Sequence, residues 1–325
     1  MIATALAHPN IALAKYWGKR DVPGNVPATP SVSLTLDGLS TTTTVRFDDA
    51  LTSDAFTLGA RPIDGEPLTR VARLLDEVRA LARLEAFAQV DSVNDFPTAS
   101  GLASSASGFA ALAVAASLAA GLDLDEATVS RIARRASASA ARSIFGGFVA
   151  LGTEDDATAR ELVEAHGWDV VIVVAAVGDG AKDVASTDGM KHTRTTSPFY
   201  DAWTADAPKL ARAVGEAIDA RDLEALGAAT EASAMRMHAC AMASDPALIY
   251  WLPRTLELIA EVRAMRRDGI GAWATIDAGP HVKVLCAGPD AAAIAARLAP
   301  HSARTIVARP GRGARRIDGP NEASR

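Results

Sequence analysis

The segment Pro97–Gly108 consists almost entirely of small and hydroxylated residues and leads directly into the apolar stretch Phe109–Ala120. Gly101 and Gly108 allow the backbone to approach a ligand closely, and the free N–H groups at a helix start attract anions. A hydroxyl such as that of Ser104 can donate to a phosphate oxygen or contribute to a magnesium shell. The same composition also suits a helix that packs tightly against a strand. The segment alone therefore does not decide between a phosphate-binding loop and a packing helix.

The bulk properties describe an ordinary globular protein. The chain has 325 residues, enough for two domains or one large one, with 49% hydrophobic residues and a net charge of −6. The acidic balance argues against nucleic-acid binding but leaves room for a small phosphorylated ligand. Two cysteines, Cys240 and Cys286, do not make a disulfide framework. Without a signal peptide or a long apolar run, we expect a cytoplasmic protein with no nucleic-acid or membrane partner.

The hydrophobic pattern predicts mixed secondary structure. Polar and apolar residues alternate over Ser31–Phe47, which predicts a β-hairpin that turns at Asp37-Gly38. The tail 311–325 is polar and is expected to fray. Mixed elements without strict alternation favour an α+β fold with two lobes, 1–180 and 181–325. Helices are predicted at 68–84, 125–137, 207–220, 223–237 and 246–267, and strands at 89–94, 144–151, 169–177, 271–277 and 282–287.

Several short segments hold residue types that can do chemistry. Asn10–Asp21 groups three cations with two aromatics, which suits a solvated basic surface or a pocket wall. Arg142 lies among serines and suits a carboxylate or phosphate ligand, although its position alone slightly favours pairing with a surface acid. Asp277 ends a predicted strand before a Gly-Pro turn, where both catalytic bases and turn-capping aspartates occur. His281 is either a supporting partner or a loop residue, and the hydroxyl-rich stretch 182–193 either holds an anion or starts a helix.

Taken in order, these segments resemble the mevalonate diphosphate decarboxylase family of the GHMP kinase superfamily. The resemblance spans roughly residues 8 to 287 and is far more specific than one glycine motif. It implies a two-lobed GHMP kinase fold, with a left-handed βαβ unit in an ATP-binding N-terminal lobe and a ferredoxin-like C-terminal lobe. The matching segments are Asn10–Ala12, Lys15–Asp21, Phe96–Ser105, Arg142–Gly147, Ser186–Met190 and Thr275–Pro280.

The activity that the resemblance implies is ATP- and Mg²⁺-dependent decarboxylation of mevalonate 5-diphosphate to isopentenyl diphosphate, in the mevalonate pathway. Phosphorylation turns the tertiary C3 hydroxyl into a leaving group, and loss of CO₂ then supplies the electrons of the new double bond. Such chemistry needs cations for the departing phosphate and an anion near the electron-poor carbon. The family also implies a homodimer.

Residue roles follow from the same resemblance. Asp277 would orient or deprotonate the C3 hydroxyl, Arg142 would hold the substrate carboxylate, and Lys15 would lie beside the transferred phosphate. The implied substrate-binding residues are Asn10, Tyr16, Lys19, Arg70, Ser137, Ser139, Ser186, Thr187 and Met190. The implied ATP-binding residues are Pro97, Ser100, Gly101, Leu102, Ala103, Ser104, Ser105, Ser107 and Gly108, with Ser104 and Ser105 near the magnesium ion.

Four positions depart from the family pattern. Ala136 and Ala138 replace glycines around Ser137, while Pro30 and His281 replace asparagines. A methyl group at Ala138 would narrow the space for a diphosphate, so a phosphomevalonate decarboxylase and a mevalonate C3 kinase remain alternatives. A non-catalytic nucleotide-binding relative is a more distant alternative. Such a protein would have little reason to retain Lys15, Arg142 and Asp277, the residues to which the resemblance assigns the reaction.

Overall fold

A computed structural model describes residues 1–96, 104–178 and 183–318. Helices and strands are interspersed along these residues, which confirms the α+β class. The strands are β1 (Ile2–Ala7), β2 (Asn10–Ala14), β3 (Ser31–Thr35), β4 (Thr41–Asp48), β5 (Ala55–Leu58), β6 (Arg61–Pro62), β7 (Phe87–Asn94), β8 (Phe148–Leu151), β9 (Ala159–Val163), β10 (Val170–Ala176), β11 (Ala272–Ile276), β12 (Val282–Ala287), β13 (Arg304–Ala308) and β14 (Arg315–Ile317). The α-helices are α1 (Glu66–Ala82), α2 (Ser104–Ala119), α3 (Glu126–Ala136), α4 (Ser186–Thr196), α5 (Tyr200–Ala220), α6 (Leu223–Met242), α7 (Pro253–Arg267) and α8 (Ala291–Leu298). Short 3-10 helices occupy Ala138–Ile144, Gly288–Asp290 and Ala299–His301.

The strands form three sheets. One sheet has the order β14-β1-β4-β7-β5-β6, a second has β2-β3-β8-β9, and a third has β11-β12-β10-β13. Every pair of neighbours is antiparallel except β5 and β7. Strand β10 precedes residue 180 but pairs with β12 and β13 from the C-terminal part of the chain.

Helix α2 packs closely against the first sheet because its buried side chains are small. Ala110, Ala113 and Ala116 are fully buried in one cluster with Ala5 of β1 and Val45 of β4. Small side chains allow a helix and a sheet to approach closely without voids. This contact places the N-terminal end of α2 beside the cleft described below.

The N-terminal segment that follows β2 is held by helices from the C-terminal half of the chain. The backbone N–H of Lys15 donates to Ser233 Oγ on α6 at 2.9 Å, and Trp203 Nε1 on α5 donates to the Trp17 carbonyl at 2.9 Å. Trp17 itself is buried in a cluster with Trp203 and Tyr250. The aromatics of Asn10–Asp21 therefore fix the position of the segment that carries its cations.

The predicted hairpin over Ser31–Phe47 is wrong. Strand β3 pairs with β2 and β8, whereas β4 pairs with β1 and β7, so the two strands lie in different sheets. The connection between them makes long-range bonds instead of a tight turn. The N–H of Leu36 donates to the Pro9 carbonyl at 2.9 Å, and that of Asp37 to the Arg309 carbonyl at 2.7 Å.

Three other boundaries also differ from expectation. The last long helix starts at Pro253 and not at residue 246, because Leu248 and Tyr250 are packed into an apolar cluster before the helix begins. The strand expected from residue 144 starts at Phe148, since Ile144 still belongs to a 3-10 helix. The tail does not fray up to residue 318: β14 pairs with β1, and a Cβ at Gly311 would clash with the Asp37 backbone.

The other predicted elements are confirmed, although α5 begins seven residues before its predicted start and α6 ends five residues after its predicted end. Strand β10 is buried along its whole length, as its continuous apolar run indicates. In the described ranges, no helix has both the length and the apolar character needed to cross a membrane.

Candidate active site

A cleft of about 370 Å³ gathers residues that lie far apart in the sequence. Its walls come from the segment after β2, helix α1, the start of α2, the 3-10 helix 138–144, the start of α4 and the turn after β11. The sequence-predicted residues that line it are Asn10, Lys15, Tyr16, Lys19, Arg70, Ser104, Ser105, Ser137, Ser139, Arg142, Ser186, Thr187, Met190 and Asp277.

Asp277 is held between two lysines. It follows strand β11, and its Oδ1 accepts a hydrogen bond from Lys15 Nζ at 2.5 Å. Its Oδ2 lies 3.1 Å from Lys283 Nζ on the neighbouring strand β12. The lysine side chains are almost fully buried, whereas the Asp277 side chain is 30% exposed. The carboxylate thus faces the cleft while both of its oxygens are fixed.

This arrangement shifts the pKa values of Lys15 and Asp277. Burial lowers the pKa of Lys15 to about 8, although the Asp277 carboxylate opposes the shift. Burial alone would raise the pKa of Asp277, but the charges of Lys15 and Lys283 and their hydrogen bonds hold it well below its usual range. At neutral pH the cleft therefore contains an ionised carboxylate, a form that can accept a proton or a hydrogen bond.

Arg142 is buried at the bottom of the cleft and is bonded to neutral groups. Its Nε donates to Ser33 Oγ at 2.9 Å, its Nη1 to Ser31 Oγ at 2.7 Å and its Nη2 to Asn10 Oδ1 at 3.1 Å. The pairing with a surface acid that its position alone favoured is wrong. A buried guanidinium held by neutral acceptors keeps its positive charge available to a ligand carboxylate or phosphate.

The opposite end of the cleft is also cationic. Lys19 Nζ donates to Asn25 Oδ1 at 2.8 Å and to Thr187 Oγ1 at 3.3 Å. Arg70 donates to the Ala136 carbonyl at 2.9 Å, and its guanidinium lies 4.6 Å from the Phe109 ring centroid. A smaller cavity of about 220 Å³ adjoins this end and shares both cations with the cleft. These cations suit a ligand whose far end carries phosphate.

Two helices begin at the cleft. Ser186 and Thr187 form the first turn of α4, so a helix starts within the stretch 182–193, and its first turn lines the cleft. Ser104 and Ser105 form the first turn of α2. The N-terminal end of a helix carries a partial positive charge and free N–H groups, both of which attract anions.

The start of α2 suits the phosphates of a nucleoside triphosphate with its magnesium ion. Ser104 and Ser105 present hydroxyls at a helix N-terminus, next to a cleft with an excess of cations. Among the described residues there is no cluster of three or more His, Cys, Asp or Glu that could bind a metal ion alone. Magnesium commonly binds through phosphate oxygens and water with few protein ligands, so hydroxyls suffice here.

Not every residue predicted to bind ATP lies in the cleft. Ser107 is fully buried, and its hydroxyl shares a hydrogen bond of 2.7 Å with Thr41 on β4, so it contributes to packing. Gly108 does not line the cleft, and a Cβ there would meet no atom of the described residues within 4 Å beyond its own helix turns. The remaining predicted residues, Pro97, Ser100, Gly101, Leu102 and Ala103, lie outside the described ranges.

Two family models match the chain and together cover most of its length. Residues 7–161 match the diphosphomevalonate decarboxylase-like N-terminal domain, and residues 170–306 match the mevalonate 5-diphosphate decarboxylase C-terminal domain. The chain belongs to the diphosphomevalonate decarboxylase family.

Curated relatives agree with this assignment. The diphosphomevalonate decarboxylase of Ganoderma lucidum is 35% identical over 309 residues, covering 87% of this chain and 77% of the relative. The phosphomevalonate decarboxylase of Haloferax volcanii is 33% identical over 287 residues, covering 87% and 88%. The family thus includes enzymes named for either phosphorylation state of the substrate.

Solved structures of mevalonate diphosphate decarboxylases match nearly the whole chain. The complex of MDDEF with MVAPP, AMPPCP and magnesium has a TM-score of 0.92 and 40% identity, covering 98% of this chain and 99% of that one. A structure of the enzyme from Enterococcus faecalis, which addresses ATP binding mediated by mevalonate diphosphate, has a TM-score of 0.91, 39% identity and the same coverage. These matches confirm the fold that the resemblance implies.

One charged residue next to the cleft was missed by sequence reasoning. Lys283 lies within the otherwise apolar strand Val282–Ala287, and no motif draws attention to it. The signal that could have found it is a lysine in the middle of a predicted buried strand. A buried ammonium group requires an anionic or hydrogen-bonding partner, so its presence indicates a nearby polar site.

The four departures from the family pattern fall into two groups. Ala136 and Ala138 line the cleft, whereas Pro30 and His281 do not. His281 is buried, and its Nδ1 accepts a hydrogen bond of 3.0 Å from the N–H of Val177 at the end of β10. It therefore supports the turn after β11 and does not form part of the cleft wall.

Proposed function

We propose that this chain catalyses the ATP-dependent decarboxylation of mevalonate 5-diphosphate to isopentenyl diphosphate, releasing ADP, phosphate and CO₂, as a step of isoprenoid biosynthesis. The observation that carries the proposal is the convergence of Asp277, Lys15 and Arg142 in one cleft with the start of α2. A carboxylate fixed by lysines, opposite an arginine with neutral partners, suits a substrate that carries a hydroxyl, a carboxylate and a phosphorylated end.

The proposed roles follow from the atoms that each side chain exposes. ATP with Mg²⁺, bound at Ser104 and Ser105, supplies the phosphoryl group that makes the C3 oxygen a leaving group. The ionised Asp277 accepts the hydrogen bond of the C3 hydroxyl and takes its proton during phosphoryl transfer. After that proton passes to water, the carboxylate is ionised again and stabilises positive charge that develops at C3. Lys15 places a positive charge beside the phosphate as the C3–O bond breaks and its electron pair leaves with the oxygen.

Arg142 has a separate role at the carboxylate. Its guanidinium binds the C1 carboxylate until the C1–C2 bond breaks, when the electrons of that bond form the C2–C3 double bond and CO₂ leaves. At the other end, Lys19, Arg70 and the start of α4 bind the diphosphate. The side chains of Tyr16, Ser137, Ser139 and Met190 shape the space between the two ends.

Phosphomevalonate decarboxylation is the second candidate. The Haloferax volcanii relative carries that name, and Ala136 and Ala138 add methyl groups to the cleft wall. A C3 kinase of the same fold would transfer phosphate without releasing CO₂.

The test compares two substrates with one purified protein. ADP formation and CO₂ release are followed with ATP, magnesium and either the 5-diphosphate or the 5-monophosphate of mevalonate. We expect the diphosphate to give the higher kcat/KM. A higher value for the monophosphate would favour the second candidate, and turnover of neither compound would refute both.

We also propose that the protein is a cytoplasmic homodimer. Cys240 and Cys286 are both unpaired, as a reducing compartment favours, and Ile249, Leu252 and Leu256 expose apolar surface near the start of α7. Light scattering after gel filtration should give twice the mass of the chain. A monomer mass would contradict the dimer without affecting the proposed reaction.

A further inference from the structure

Lys283 is a buried charge in a strand that is otherwise apolar. Its side chain is 2% exposed, and its neighbours across the sheet are Thr275 on β11 and Val174 on β10. Placing an ammonium group in such surroundings is costly unless an anion compensates it. The carboxylate that meets it is that of Asp277, at 3.1 Å.

The two lysines reach Asp277 from different sides. Lys15 lines the cleft and binds Oδ1, whereas Lys283 does not line the cleft and lies against Oδ2. A ligand in the cleft can therefore compete with Asp277 for Lys15. Lys283, which is fixed on strand β12 and does not line the cleft, acts on a ligand through the carboxylate.

Other charged or titratable groups near Asp277 do not duplicate this contact. Arg142 is bonded to Ser31, Ser33 and Asn10, and its guanidinium lies 5.8 Å from the Tyr16 ring centroid. His238 on α6 donates through Nε2 to the Ile276 carbonyl, and burial lowers its pKa to about 4. The imidazole is therefore neutral at neutral pH, where Asp277 is ionised.

We propose that Lys283 is a positioning residue: it fixes Oδ2 of Asp277, keeps Oδ1 directed at the cleft, and remains the counter-ion when Lys15 turns to substrate phosphate. The proposal rests on the proposed decarboxylase function for its kinetic consequences. Its electrostatic part, the coupling between Lys283 and Asp277, holds whatever the reaction is.

The kinetic test replaces Lys283 by methionine, which has similar length and no charge. We expect kcat of Lys283→Met to fall about 100-fold, as for misplacement of a reacting group, while KM for mevalonate 5-diphosphate changes little. The acid limb of kcat/KM should move to higher pH, because the Asp277 carboxylate loses a cation that favours its ionised form. Lys283→Arg should recover part of kcat.

The matched control is Arg134→Met. Arg134 is also fully buried and charged, but it lies on α3, does not line the cleft, and donates to the Asp155 carbonyl. We expect its kcat and acid limb to match the wild type. Unchanged kcat and an unmoved acid limb in Lys283→Met, or equal losses in both variants, would overturn the positioning role.

A stability cycle tests the coupling without any activity. Urea unfolding is measured for wild type, Lys283→Met, Asp277→Asn and the double variant. We expect Lys283→Met to destabilise the wild type but to stabilise Asp277→Asn, where the two lysines face each other without a carboxylate between them. Equal effects in both backgrounds would overturn the coupling, and a wild type without decarboxylase activity would refute only the proposed function.

If Lys283→Met alone does not fold, the double variant still tests the coupling. A folded double variant supports the same sign of coupling, and an unfolded one overturns it.

Discussion

At the scale of single residues, the cleft combines two buried and two half-buried cations with very few anions. In the part of the chain that the structure describes, Asp277 is the only carboxylate that lines it, whereas Lys15, Lys19, Arg70 and Arg142 line it as cations. Lys15 is paired with Asp277 and Arg70 with Glu66, whereas Lys19 and Arg142 are held by hydrogen bonds to neutral groups. The excess of positive charge favours a substrate that carries both a carboxylate and phosphate.

Replacing Asp277 by asparagine tests its role as base. The amide has nearly the same shape but cannot take a proton, so we expect kcat to fall about 10²- to 10⁴-fold. ATP affinity, measured by calorimetry, should remain nearly intact because Asp277 lies on the substrate side of the cleft. A rate close to that of the wild type would remove Asp277 from this role.

Replacing Arg142 by lysine tests the planar fork of donors. The bonds to Ser31, Ser33 and Asn10 require three nitrogens in one plane, and an ammonium group cannot provide them. We expect KM for mevalonate 5-diphosphate to rise about tenfold or more, as befits the loss of a charge-assisted bond worth roughly 1.5–3 kcal/mol. Arg131→Lys is the control, because Arg131 lies on α3 and does not line the cleft. Equal KM changes in both variants would contradict the assignment.

The lowered pKa of Lys15 predicts a basic limb in the pH profile. Burial favours the neutral amine and moves the pKa from 10.5 to about 8, so the lysine is charged below that pH and loses its charge above it. We therefore expect kcat/KM to decline as pH rises through about 8. In Lys15→Arg the charge persists, so any remaining activity should lack this limb; an unchanged limb would assign it to another group.

At the scale of elements, the position of α4 depends on a close contact at Gly189. A Cβ there would clash with the Tyr250 hydroxyl and lie 3.0 Å from Leu248 Cδ2. Ser186, Thr187 and Met190 line the cleft from the same helix. Because Gly189 has no side chain, α4 packs closely against Tyr250 and Leu248, and its first turn reaches the cleft.

Gly189→Ala should destabilise the protein and weaken substrate binding together. Overpacking of this kind costs about 1–3 kcal/mol, and the displaced first turn should raise KM. Gly215→Ala on α5 is the matched control, because a Cβ there meets nothing within 4 Å and alanine favours a helix by about 0.5–1 kcal/mol. Thermal unfolding of both variants checks the prediction, and equal shifts in Tm would contradict it.

Sequence patterns predicted the helices better than the pairing of strands. Periodicity located α1, α3, α5 and α6 because each carries its own buried face. Alternation over 31–47 identified two strands correctly but not their partners, since a strand records which face is buried and not which sheet it joins. Strand β14, three residues long, is stabilised mainly by its contact with β1 and left no local signal.

The residues of the candidate site could be predicted from the sequence where they belong to motifs that occur in a recognisable order. Fourteen of the predicted residues line the cleft. They were predicted from the order of the motifs along the chain and not from any single residue. Considered alone, Arg142 favoured a surface ion pair, and only the fold shows it buried against Ser31 and Ser33. Lys283 was missed because its importance depends on a neighbouring strand, and pairing between strands is the information that local patterns lack.

At the scale of the whole molecule, the cleft exists only because both halves of the chain contribute to it. Lys15 follows a strand of the second sheet and Asp277 a strand of the third, yet they are in hydrogen-bond contact. Thr275 Oγ1 also donates to the Ala12 carbonyl at 3.3 Å, which joins the same two strands. The reacting groups are therefore positioned by packing between sheets and not by one loop.

The central claim is that this cleft couples phosphoryl transfer to loss of CO₂ from one substrate. The most direct measurement incubates the purified protein with ATP, magnesium and mevalonate 5-diphosphate labelled with ¹⁴C at C1, and counts ¹⁴CO₂ against ADP and phosphate. We predict the three products in equal amounts from the first time point. Formation of ADP without ¹⁴CO₂, or no turnover at all, would contradict the account.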